Sequence, residues 1–219
     1  VRRFLLTSAQ NNTPVHGPFW DNPMAYAEHI DARVVVSTFT YNHNAYGQLS
    51  TKRGRKKTQG DLWYDDRIRP FIKDDSIEVA PGLVWCGEMN ISPTAVRPLS
   101  GLETYTGRKS GIFPATKLSM RSVASVKSEP TKFNFTTGTV TQRNYIQKKA
   151  GQKAEFHHCY GALIVEVDSK GDWWVRQIVC DSDGNFYDTD TEVRDGGVTT
   201  GQHRAEAIVW GDVHAEVYD

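Results

Sequence analysis

Residues 32 to 41, ARVVVSTFTY, form a continuous β-branched and aromatic run without the apolar-polar alternation of a half-exposed strand. Such a run fits a strand covered on both faces, the condition met inside layered sheets. Upstream, RRFLLTSAQ is a second short apolar run that ends in small polar residues. Between the two, NNTPVHGP reads as a loop from its Asn, Pro and Gly content. DNPMAYAEHI reads as a helix, with Asp21 as N-cap and Pro23 in the first turn. Met24, Ala27 and Ile30 then share one face. Strand, helix and strand make a βαβ-type unit, so the fold class is α/β, with α+β as the alternative.

The next stretch, NHNAYGQLSTKRGRKKTQGD, is polar and basic, and is expected to be an exposed, mobile loop. DLWYDDRIRPFIKDD is a short helix or irregular segment, and SIEVAPGLVWCGEMN carries one or two strands around a Pro-Gly turn. Residues 92–125 read mainly as loops, and TKFNFTTGTVT as a strand. QRNYIQKKAG is predicted as a short helix capped by Thr141 and ended by Gly151. AEFHHCYGALIVEVD, DWWVRQIVCDSD and NFYDTDTEV form a C-terminal antiparallel meander turned at SKGD and SDGN. GGVTTGQHRAEAIVWGDVH adds a further strand or two. The organisation is an α/β accessory domain over 1–135, a β-rich continuation of it over 136–204, and the first strand of another domain over 205–219.

Composition narrows the function classes. With 38% hydrophobic and 24% charged residues over 219 positions, the chain is a folded protein rather than a disordered one. Twenty-six basic residues balance 26 acidic ones, so any case for nucleic acid rests on local charge. Cys86, Cys159 and Cys180 are odd in number and contain no CxxC pair, which fits reduced thiols in a cytoplasmic compartment and disfavours a zinc ribbon. No apolar run approaches the ~20 residues needed to span a bilayer, and no signal peptide is visible. The chain begins at Val1 rather than Met, which leaves room for sequence ahead of it.

The strongest chemical pattern is at the C-terminal tip, AEAIVWGDVHAEVYD. Asp212 and His214 are two apart, so in a strand they point to the same side. A carboxylate and an imidazole can then reach one cation together. Gly211 permits close approach, and Ala207 to Trp210 supply an apolar strand. The alternative is an ordinary strand and turn, with Asp212 in an Asx-turn. The pattern resembles the first motif of the calcineurin-like metallophosphoesterases. That resemblance implies that Asp212 and His214 are direct ligands in a centre of two manganese-like divalent ions, where bound metal polarises phosphoryl oxygen and generates hydroxide. The family's later GD-, GNH- and GHxH-type motifs do not occur in this chain. Together with TSAQNNTPVHGPFWDNPMAYAEHIDARVVVSTFTYN, the tip is similar to bacteriophage DNA-transfer nucleases of the T5-like type. The resemblance implies an accessory N-terminal part of a DNase, inactive by itself and located in the host cytoplasm.

A second pattern is KRGRKK, in which Lys52, Arg53, Arg55, Lys56 and Lys57 place five cations in six residues. They could neutralise phosphates and release counterions, with Tyr41, Tyr46, Trp63 and Tyr64 near enough in sequence to stack on bases. A solvated loop tip or an acidic protein partner explains the same residues. In FHHCY, read as a strand, His157 and Cys159 share a face and His158 points away; a half-buried strand accounts for this better than a metal site, with His158 retained as an acid-base residue.

A third set lies at strand ends: Ser8, Gln10 and Asn11; Thr38, Tyr41 and Asn42; Glu88 and Asn90. With parallel strands these converge at one edge and could hold a nucleotide or a nucleic-acid end, Glu88 and His158 acting as acid and base. Loop capping explains them as well. No GxGxxG or GxxxxGK[ST] phosphate loop is present, and DSDGN and DTDTE read as turns rather than calcium loops. Three functions follow: part of a metal-dependent DNase, a non-enzymatic nucleic-acid-binding or assembly module, or a small nucleotide-handling enzyme. The first two imply DNA as partner; homo-oligomerisation is left open.

Overall fold

The computed structural model describes residues 1–41 and 62–201. The elements are β1 (Arg2–Gln10), α1 (Gly17–His29), β2 (Ala32–Phe39), a single 3-10 turn (Arg69–Phe71), β3 (Ser76–Ala80), β4 (Leu83–Cys86), β5 (Ser110–Phe113), β6 (Met120–Val123), β7 (Lys132–Thr136), α2 (Lys149–His157), β8 (Gly161–Val167), β9 (Trp173–Val179), β10 (Phe186–Asp188), β11 (Thr191–Arg194) and β12 (Gly197–Thr200). Among the described residues they form sheets of order β2-β1-β8-β9, β3-β4-β5-β7-β6 and β10-β11-β12. The α/β class and the C-terminal antiparallel strands follow the sequence reading.

The βαβ unit forms as its pattern dictates: β1 and β2 are parallel, joined by α1. β8 returns antiparallel to β1, and β9 pairs with β8 across a tight turn. Alternation along β1 sends successive residues to different layers. Leu5, in register with Val34 and Ile164, faces a core shared with Phe19, Trp20 and Tyr26 of α1 and with Phe186 and Val193 of the small sheet. Leu6, in register with Val35 and Leu163, faces a second core with Leu83, Trp85, Ile112 and Phe135 of the five-stranded sheet. β1 and β2 are therefore covered on both faces, Val36 entering the first core and Val35 the second, which is why residues 34 to 36 carry no polar alternation.

Two helix boundaries differ from the expectation. Helix α1 starts at Gly17, not after Asp21. His16 is its N-cap, its ring Nδ1 accepting from the backbone N–H of Phe19 at 3.2 Å, and Pro18 supplies the fixed φ of the first turn. Asp21 and Pro23 lie inside the helix. Helix α2 occupies 149–157 rather than 142–150. Thr141 cannot cap it, because its buried hydroxyl already accepts from the N–H of Gln10 at 3.1 Å and meets the hydroxyl of Thr139 at 2.9 Å. Gly151 does not end the helix but sits within it, where a Cβ would collide with the carbonyl of Ile146. As a consequence FHHCY is not a strand: His157 is the last helical residue and His158 the C-cap.

The SDGN turn also differs. Rather than joining two strands of one ladder, it carries the chain from β9 in the central sheet to β10 in the small sheet. No helix among the described residues is long and apolar enough to cross a membrane.

Candidate functional site

The end of β1 is built from polar residues that are nonetheless buried. Thr7, Ser8, Gln10, Asn11, Asn12 and Thr13 are each at most 2% exposed. Buried polar groups need partners, and many here come from residues 138–161, more than a hundred positions away. Thr7 Oγ donates to the carbonyl of Gly161 at 2.8 Å and Ser8 Oγ to that of Gly138 at 2.6 Å. The Ser8 carbonyl accepts from the Thr139 hydroxyl and the Val140 N–H, both at 2.9 Å. Gln10 Nε2 donates to Thr13 Oγ at 3.1 Å and to the carbonyl of Asn144 at 3.0 Å. Most of this cluster stitches irregular backbone onto the sheet.

Several strand-end residues do come together. Asn11 Oδ1 accepts from the N–H of Tyr41 at 2.7 Å, and Asn90 Oδ1 accepts from that of Thr40 at 3.0 Å. The loop after β4 is held against β2 by the Ser37 hydroxyl, which donates to the Gly87 carbonyl at 2.7 Å. Gln10, Asn11, Tyr41 and Asn90 thus border the carboxyl ends of β1 and β2. Thr38 turns away: its N–H and hydroxyl each donate to Asp74 at 2.6 Å. Glu88 is exposed and accepts from the Tyr105 hydroxyl at 2.7 Å. It shares no hydrogen-bond partner with His158. Asn42, Lys52, Arg53, Arg55, Lys56, Lys57, Asp212 and His214 lie outside the described residues.

An aromatic chain that sequence reasoning missed continues from this edge. Tyr41 meets Tyr145 edge-on with centroids 5.4 Å apart. The Tyr145 hydroxyl lies 2.6 Å from Nδ1 of His158. His158 meets Tyr160 edge-on at 4.7 Å, and Tyr160 stacks on His16 at 4.3 Å beneath the guanidinium of Arg143. Residues 16, 41, 145 and 160 have no local spacing in common, so no sequence pattern could have assembled them.

Electrostatically both histidines of the cluster are pushed toward their neutral forms. His158 is 7% exposed, and burial pushes its pKa down to about 3; Arg143 adds to this shift and the Thr141 backbone opposes it. Burial, and then Arg143, also lower His16, whose Nδ1 is committed as an acceptor to Phe19. Burial raises Tyr145, and raises the Cys159 thiol to about 11. Gln10 Oε1 and His158 Nε2 are buried without a hydrogen-bond partner among the described residues. The arrangement can hold neutral hydrogen-bonding groups; it offers no poised base to a substrate in solvent. Among the described residues no group of three or more His, Cys, Asp or Glu could hold a metal.

A pH dependence follows. The folded pKa of His158 lies below its ordinary value of 6.5, so the unfolded chain binds the extra proton between the two. Its contribution is complete above about pH 6.5 and is lost as pH falls toward 3, at up to about 1.4 kcal/mol per pH unit. Urea denaturation at pH 7 and pH 5 is expected to show this loss, and His158→Gln to flatten it. Parallel pH profiles for the two proteins would contradict the assignment.

No family model and no solved structure matches the chain. Along its whole length it is similar to "Protein A1" of Escherichia phage T5, at 37% identity over 223 residues, covering 100% of this chain and 39% of that protein. The chain therefore spans about two fifths of the length of this curated relative. The similarity supports a bacteriophage origin.

Proposed function

We propose that this chain is the accessory N-terminal part of a metal-dependent phosphoesterase that acts on DNA. The observation that carries the proposal is the run Ala207-Ile208-Val209-Trp210-Gly211-Asp212-Val213-His214, an apolar strand pattern delivering one oxygen and one nitrogen donor two residues apart. That donor pair suits a manganese-like divalent ion, and two donors are too few to complete a centre. When bound, such an ion supplies Lewis acidity and a hydroxide nucleophile; Asp212 and His214 would hold it. The basic run Lys52, Arg53, Arg55, Lys56 and Lys57 supports a phosphodiester polymer as substrate, since clustered cations gain from counterion release. The polar cluster at the ends of β1 and β2 plays a positioning part, because its side chains are already engaged with the chain's own backbone.

The test uses the complete protein that contains this segment, with manganese, a chromogenic phosphodiester and DNA. Asp212→Ala and His214→Ala are each expected to lower kcat/KM by about a hundredfold or more, as loss of a direct metal ligand does. The 219-residue segment alone is expected to be inactive. Full activity in both variants would rule out the assignment.

A further inference from the structure

Helix α2 carries two very different faces. Gly151 and Ala154 are buried against the domain, and His158 follows them as the buried C-cap. Lys149, Gln152, Lys153 and Phe156 are exposed at spacings of three and four, so they line up along the opposite side. Phe156 is 84% exposed, more than any other large hydrophobic residue described. Single exposed apolar side chains are ordinary; this one is set among cations. Neither Lys149 nor Lys153, nor Lys148 just ahead of the helix, forms an ion pair with any described residue. Glu155, the one acid of the helix, accepts from Gln147 Nε2 at 3.1 Å.

We infer that this face of α2 binds single-stranded nucleic acid, the lysines contacting phosphates and Phe156 stacking on a base. The charge pattern is complementary to a polyanion. The aromatic ring selects a single strand, because a duplex keeps its base faces stacked within itself, whereas an open strand offers them to a protein ring. Seven residue steps separate Lys149 from Phe156, about 10 Å along a helix at 1.5 Å per residue, which a strand spans with two or three nucleotides. Its residues are not those of the basic run at 52–57. It deepens the proposed function by giving the accessory part its own contact with substrate, and rests on that reading only for the polymer being DNA.

The test is fluorescence anisotropy of a labelled oligo-dT with the full chain, without metal, over a salt series. Lys149→Ala/Lys153→Ala is expected to weaken binding and to reduce the magnitude of the log-log salt slope by about 1.4, at about 0.7 per single-strand phosphate contact. Phe156→Ala is expected to weaken oligo-dT binding by about fivefold or more with an unchanged slope, and to leave duplex binding unaltered. All three positions are exposed, so thermal unfolding of both variants should match the parent. Affinity unchanged in both variants overturns the inference, as does an absence of binding by the parent. A response to charge alone, with poly-glutamate competing as well as oligo-dT and Phe156→Ala silent, overturns it in favour of an acidic protein partner. Because the assay contains no cleavage step, its failure leaves the phosphoesterase reading standing, and loss of that reading leaves this surface standing.

Discussion

Gly184→Ala is expected to lower stability by about 3 kcal/mol, the sum of two separate penalties. Gly184 has φ +88°, in the left-handed region. A side chain there costs ~1 kcal/mol or more. Its built Cβ would also lie 2.5 Å from the backbone nitrogen of Phe19 and 2.7 Å from the carbonyl carbon of Pro18. Those atoms belong to the first turn of α1 and cannot rotate away, so overpacking adds about 1–3 kcal/mol. The loop is also held to that helix by hydrogen bonds: Asn22 Nδ2 donates to the Gly184 carbonyl at 2.7 Å and to Asn185 Oδ1 at 3.3 Å. Moving the loop to relieve the contact would break these bonds. At ~2–4 °C per kcal/mol for a protein of this size, the melting temperature should fall by roughly 10 °C. Gly101→Ala is the control. Its φ is +81° with no atom within 4 Å of the built Cβ, so it should show the backbone penalty alone. Equal losses in the two variants would mean the contact with α1 contributes nothing.

The second large effect is expected at Arg176. Its Nε and Nη2 hold the two carboxylate oxygens of Asp188 at 2.6 and 2.8 Å, and its Nη1 holds Glu166 at 2.9 Å. Glu166 in turn pairs with Arg3 at 2.7 Å, and the Tyr26 hydroxyl donates to Asp188 at 2.6 Å. The network joins β1, β8 and β9 of the central sheet to α1 and to the small sheet. Asp188 is 5% exposed, so Arg176→Ala leaves a buried carboxylate with only a phenol for company. Breaking a buried pair from one side costs about 3–5 kcal/mol; the partial exposure of Arg176 places the expected loss near the lower end. Adding Asp188→Ala should recover part of it, since the stranded charge is then gone. Urea denaturation of the two single variants and the double variant measures this coupling. A loss below about 1 kcal/mol for Arg176→Ala would show that the pair behaves as an exposed one.

The parts of the fold that sequence alone revealed are those set by nearest neighbours. The run from Val34 to Phe39 has to be covered on both faces, and the βαβ reading of residues 2 to 39 follows from periodicity. The hairpin turns at Pro81-Gly82 and at Gly171 are likewise local, each with a glycine at positive φ. What failed were boundaries decided by distant partners. Thr141 has the chemistry of an N-cap, but Gln10, 131 positions away, takes its hydroxyl. Asp21 has the better capping chemistry than His16, but Pro18 and the contact of His16 with Tyr160 start α1 a turn earlier. The five-stranded sheet was not legible either: its parallel neighbours β4, β5 and β7 are separated by long Gly- and Ser-rich segments with little periodicity.

The candidate site divides in the same way. That Gln10, Asn11, Tyr41 and Asn90 lie at strand ends is a matter of sequence order; that they meet is a matter of how the loop after β4 packs on β2. His158 was noticed for its residue type, but its neutrality comes first from its burial, where Tyr145 and Tyr160 contact it, and then from Arg143. By itself, then, the sequence determined the α/β class, the doubly covered strand β2 and the two-residue spacing of Asp212 and His214, because each depends on spacings of a few residues. Only the tertiary structure decided which polar groups are spent on holding backbone and which face of α2 keeps its lysines and Phe156 in solvent, because burial and hydrogen-bond competition depend on residues a hundred or more positions apart.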